Sequence, residues 1–117
     1  MTGDAPLWSL GIRDLTEGYG AGAFSPADVL ASIQERIAEV NPVLNALVTP
    51  APADRIAAEA ADSAGRWRAG RALGPLDGVP FTVKDNILAE GMTATWGSKL
   101  FRDFVPETDE LPVARVR

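Results

Sequence analysis

The chain has 117 residues, 46% of them hydrophobic, and a formal net charge of -5, which allows about one domain's worth of core and excludes global disorder. With no cysteine and no histidine it can form no disulfide, thiolate nucleophile, Cys-ligated metal site or imidazole base. A pI near 4.6 with scattered arginines opposes attraction to a phosphate backbone, so no nucleic-acid partner is expected. No apolar run approaches the ~20 residues that span a bilayer, so no membrane partner is expected either. The opening MTGDAPLWSL lacks the basic and apolar regions of a secretory signal, which makes a cytoplasmic location the default expectation.

Leu7, Trp8, Ile12 and Leu15 predict a short first helix from Leu7 to about Gly18, which the run GYGAG then stops. In SPADVLASIQERIAEVNP, Ser25 can cap, Pro26 takes the first helical position, Asp28 adds an acid to the first turn, and Pro42 forbids continuation. The predicted buried stripe is Val29, Leu30, Ile33, Ile37 and Val40, and its packing outweighs the cap's ~1 kcal/mol. LNALVTP reads as a brief extended link. A long amphipathic helix follows, with Ile56, Ala60, Ala64 and Trp67 on one face and Gly70 and Pro75 closing it.

Turn signals in GRALGPLDG precede the strand-like VPFTVKD, then ILAEGMTAT reads as extended chain turning at Glu90-Gly91. GSKLFRDF is a short helix capped by Ser98, and PETDELPVARVR opens another, with Asp109 as its cap and Pro112 in its first turn. Helices followed by one or two strands make an incomplete layered domain, as expected of the N-terminal part of a longer α/β chain. Such a piece would expose Val29, Ile33, Ile37 and VPFTV and associate when expressed alone. The three tryptophans are expected in the core.

Lys84 stands out because nine of the eleven basic residues are Arg. A lysine at a strand end ordinarily lays its stem over apolar neighbours and keeps its ammonium in water. The functional alternative is a desolvated amine that takes a proton from a hydroxyl, but Thr82, Thr93, Thr95 and Ser98 offer no nucleophile-elbow or SxxK setting. Asp85 and Asn86 fit turn-forming, backbone-bonding residues after a strand better than a metal site. Gly74, Gly78, Gly91 and Gly97 do not make a nucleotide loop.

GPLDGVPFTVKDN, then GMTATWGS, then FVPETDELPVARVR resembles the N-terminal region of the amidase signature family. Its members read G-P-L-x-G-[VI]-P-x-x-[VI]-K-D-N, then G-x-x-T-T-x-G-S, then an acidic, proline-containing approach to V-x-x-L. The lead-in through S-P-x-x-V and I-x-x-V-N-P-x-L-N-A is similar too. Asp77 and Ala94 depart from the family pattern at positions peripheral to proton transfer.

The resemblance implies an α/β fold with a mixed central sheet covered by helices. Residues 1–117 would form the N-terminal part of its single domain, helical over 1–70, with the strand and catalytic-lysine segment over 74–117. It implies amide-bond hydrolysis by a Ser–cis-Ser–Lys triad, with Lys84 as the triad lysine, no metal and no organic cofactor. The implied partner is a small-molecule amide substrate, and a homo-oligomer of the parent stays open. The two serines and the oxyanion donors belong to a serine- and glycine-rich segment that this sequence does not contain, so no activity is expected of it alone. Two alternatives stay open: the glutamyl/aspartyl-tRNA amidotransferase component that amidates mischarged tRNA, and a small helical interaction module.

Overall fold

The computed structural model describes residues 5–117. The stretch 1–4, which opens the segment considered as a targeting signal, lies outside the described residues. Among the described residues four α-helices carry the fold: α1 (Ile12–Ala21), α2 (Pro26–Leu44), α3 (Ala53–Arg68) and α4 (Leu111–Val116). Single 3-10 turns sit at Leu7–Ser9 and Lys99–Phe101. No strand forms among the described residues, and no helix is long and apolar enough to cross a membrane. The expected strand over VPFTVKD is therefore corrected: residues 79–84 form neither helix nor turn, and they pair with no neighbouring strand. β-propensity alone makes no sheet, because the ladder needs a second chain segment in register.

The chain divides into two compact units, one combining the chain up to Ala46 with Asp54–Pro80, the other combining Leu47–Ala53 with Phe81–Arg117. In the first, α1 begins later than predicted and runs through Gly18 to Ala21. Glycine is needed at position 18 because Phe24 lies where a side chain would be, with a Cβ only 2.1 Å from the ring. Termination falls to Gly22 in the left-handed region at φ 67°, where Gly22 N–H bonds Tyr19 O and Ala23 N–H bonds Gly18 O.

Helix α2 starts as predicted, with a reciprocal cap: Ser25 Oγ accepts the Asp28 N–H, and Asp28 accepts the Ser25 N–H at 2.8 Å. It does not stop at Pro42. The lost N–H bond falls in the last turn, and the helix closes three residues later on Asn45 at φ 49°, whose N–H reaches Asn41 O. Val29 is fully buried, as its place in the predicted stripe requires and against the expectation that the isolated piece would expose it, while Leu30, Ile33, Ile37 and Val40 are half-buried. Val29 joins Leu15 and Tyr19 in a core flanked by Leu7, Leu10, Phe24, Ile33, Trp67 and Val79. Trp67 belongs to this core as expected, but Trp8 and Trp96 are 42% and 46% exposed. Arg36 covers the Trp8 ring at 4.7 Å.

Helix α3 ends on Gly70 at φ 65°, with Gly70 N–H bonded to Trp67 O and Arg71 N–H to Arg66 O. The GPLDG loop then folds back onto the same helix. Asp77, whose side chain is 2% exposed, accepts Arg66 Nε at 2.8 Å, Arg66 Nη2 at 2.6 Å, Ser63 Oγ at 2.7 Å and Leu73 N–H at 3.0 Å. The Trp67 indole donates to Asp77 O at 3.0 Å and the Tyr19 hydroxyl to Gly78 O at 2.9 Å. The Arg66 guanidinium, with the Leu73 amide and Ser63 hydroxyl, holds the Asp77 carboxyl far below the usual range against the opposing effect of burial.

Candidate functional site

The second unit carries Lys84. Leu88–Ala94 and Phe104–Glu110 run antiparallel through three isolated bonds, Glu110 N–H to Leu88 O, Gly91 N–H to Pro106 O and Ala94 N–H to Phe104 O. The predicted turn at Glu90-Gly91 is present, closed by Met92 N–H on Ala89 O with Gly91 at φ 73°. Ala89, Ala94, Pro106 and Val113 are the buried residues of this unit.

Asp109 does not cap α4; it accepts the Glu90 N–H at 2.7 Å and Arg117 Nη1 at 2.9 Å. Glu110 occupies the cap position without a capping bond, and its side chain accepts the Leu88 N–H at 3.0 Å. The acids preceding the helix thus tie together two lengths of irregular chain whose backbone no sheet satisfies. Ser98 does cap its turn, accepting the Leu100 N–H at 3.3 Å, but that turn is the 3-10 segment rather than an α-helix.

Lys84 is exposed and opens a β-turn closed by Ile87 N–H on Lys84 O at 2.9 Å. Asp85 and Asn86 are its central residues, as turn chemistry predicts. Lys84 borders a small open pocket lined also by Thr49, Val83, Asp85, Ile87, Ala89, Met92 and Thr93. Of the hydroxyls near Lys84 in sequence, the pocket includes Thr93 but not Thr82, Thr95 or Ser98. Thr49 lies far from Lys84 in sequence and carried no signal there; its hydroxyl donates to Thr93 O at 3.4 Å.

Asp85 ties the 95–97 loop to the Lys84 turn through its side chain. Its carboxylate accepts the Thr95 N–H at 2.8 Å, the Thr95 hydroxyl and the Gly97 N–H at 3.4 Å. Its carbonyl accepts the Trp96 N–H at 3.4 Å. The Thr95 hydroxyl first, then the Thr95 amide, hold the Asp85 carboxyl below the usual range. Among the described residues no cluster of His, Cys, Asp and Glu has the arrangement of a metal site.

The sequence profile described as Amidase matches residues 28–117. The chain belongs to the Amidase family. It is 37% identical over 111 residues to a mitochondrial glutamyl-tRNA(Gln) amidotransferase subunit of Ixodes scapularis, covering 95% of this chain and 22% of that protein. It is 31% identical over 108 residues to an acylamidase of Rhodococcus erythropolis, covering 92% and 22%. A crystal structure of PAM12A superposes with a TM-score of 0.87 and 33% identity over 96% of this chain and 23% of that one. The chain thus spans about a fifth of the length of these Amidase relatives.

Proposed function

We propose that this chain is the N-terminal part of the single domain of an amide-bond hydrolase, and that Lys84 is the base of its Ser–cis-Ser–Lys triad. The observation that carries the proposal is the segment GPLDGVPFTVKDN lying within the matched Amidase region, with its lysine at the rim of a pocket. In the proposed reaction a serine oxygen attacks the amide carbon while its proton passes through the bridging serine to the Lys84 amine. The proton then goes to the departing amine, the C–N bond breaks, and water releases the acid from the acyl-enzyme. Both serines, the oxyanion donors, the mixed central sheet and the cover that would exclude water from Lys84 are assigned to the rest of the full-length protein.

The test uses the full-length protein and follows ammonia release from simple primary amides. Lys84→Ala is expected to cut turnover by about 10²- to 10⁴-fold with the far-UV spectrum unchanged. Undiminished turnover in that variant would refute the assignment. The 117-residue chain by itself is expected to release no ammonia.

A second reading is supported by the relatives named as components of glutamyl-tRNA(Gln) amidotransferase. TWGS and DELPVARVR favour a free-standing hydrolase instead, since the amidotransferase component more often reads T-T-C-x-S and D-A-T-V. Ammonia-dependent amidation that requires a charged tRNA and partner proteins would decide for the amidotransferase.

A further inference from the structure

Trp96 and Gly97 are consecutive residues in the left-handed region, at φ 50° and 69°. For a tryptophan this conformation costs on the order of 1–2 kcal/mol, so something must hold it. Tilted ring contacts contribute on one side, the Trp96 ring centroid lying 5.2 Å from that of Phe101 and 5.7 Å from that of Phe104. On the other side, successive backbone N–H groups in such a conformation form a concavity suited to an anion. Here that anion belongs to the chain: the Asp85 carboxylate takes the Thr95 and Gly97 N–H groups and the Thr95 hydroxyl, while Asp85 O takes the Trp96 N–H. Asp85 is also the second residue of the turn that Lys84 opens.

We propose that Asp85 is a positioning residue for Lys84, an internal anion that locks the 95–97 loop and thereby fixes the backbone from which the Lys84 side chain projects. The proposal rests on the reading of Lys84 given above only for its functional meaning; the geometry stands without it. Asparagine cannot reproduce the effect, because its amide supplies one acceptor oxygen and no charge where the carboxylate receives three donors.

The test is hydrogen exchange and, with selective ¹⁵N-lysine labelling, ¹⁵N relaxation on the full-length protein. It compares wild type with Asp85→Asn, and with Thr95→Val, which removes one donor and leaves the carboxylate. Lys99 provides the internal comparison, being the other lysine of residues 1–117. In Asp85→Asn, Thr95 and Gly97 amide protection should fall about 10-fold or more and the Lys84 order parameter should drop below the rigid range while residues of α3 are unchanged. Thr95→Val should give a smaller change of the same kind.

A Lys84 that stays as ordered as in wild type while Thr95 and Gly97 loosen would reduce Asp85 to a loop staple and overturn the proposal. Wild-type Thr95 and Gly97 amides exchanging at random-coil rates would overturn it equally. Full turnover in Lys84→Ala would instead refute the catalytic reading and leave this result untouched.

Discussion

Replacing Asp77 by alanine removes the acceptor of four hydrogen bonds from a side chain that is 2% exposed. Breaking a buried ion pair costs about 3–5 kcal/mol when the remaining charge stays buried. Arg66, at 32% exposure, can turn partly into water, which lowers its share. Ser63 cannot escape so easily: it is 2% exposed and would lose its acceptor at a cost of about 1–3 kcal/mol. The Leu73 amide lies in an exposed stretch and is rehydrated. Together these place Asp77→Ala at about 3 kcal/mol of destabilisation, a large share of the roughly 5–15 kcal/mol available to a typical domain.

Urea unfolding followed by far-UV circular dichroism should move its midpoint down by about 1–2 M for a typical slope. The Arg66→Ala, Asp77→Ala double mutant should lose less than the sum of the single losses. Because the folded Asp77 carboxyl titrates below its unfolded value, its contribution is fully present above the unfolded range near about pH 4. It is lost as pH falls further, so the deficit of Asp77→Ala relative to wild type should shrink below about pH 4. An Asp77→Ala midpoint within error of wild type at neutral pH would refute the clamp.

Gly78→Ala should be destabilising by about 2–4 kcal/mol in the same urea assay, since φ is 79° and a Cβ would lie 2.6 Å from both Pro26 and Ser63 side-chain atoms. A change under about 0.5 kcal/mol would show that the loop does not sit tightly on α2 and α3. Tyr19 is the only tyrosine, and burial pushes its phenol up to about 12. Its ultraviolet absorbance should therefore titrate near pH 12 in the folded chain and near about pH 10 in urea. Here the neutral phenol is the favoured form, so the raised value stabilises the fold fully below about pH 10 and is lost as pH rises towards 12; a folded-state midpoint near 10 would contradict the burial.

Local chemistry was legible wherever the determining contacts are near in sequence. Ser25 and Asp28 cap α2 because they are three residues apart on one turn, and Gly70 ends α3 because glycine enters the left-handed region without a Cβ clash. The face of Ile56, Ala60, Ala64 and Trp67 was readable from helical spacing alone, and the turn at Asp85 and Asn86 from their side chains. The family was legible because GPLDGVPFTVKDN combines glycines, prolines and a lysine at fixed spacing.

Long-range partners were not legible. Nothing in GPLDG announced that its Asp77 would meet Arg66 and Ser63, or that Asp85 would spend its carboxylate on Thr95 and Gly97. Asp109 looked like a helix cap, yet it serves Glu90 and Arg117, and VPFTVKD looked like a strand but finds no partner among the described residues. Side-chain spacing and backbone preference act within a turn or two, and they were enough to write the three long helices, the cap of α2 and the lysine motif into the chain. Which carboxylate meets which donor, and whether an extended segment becomes a strand, depend on segments that sequence distance leaves unrelated until folding brings them together.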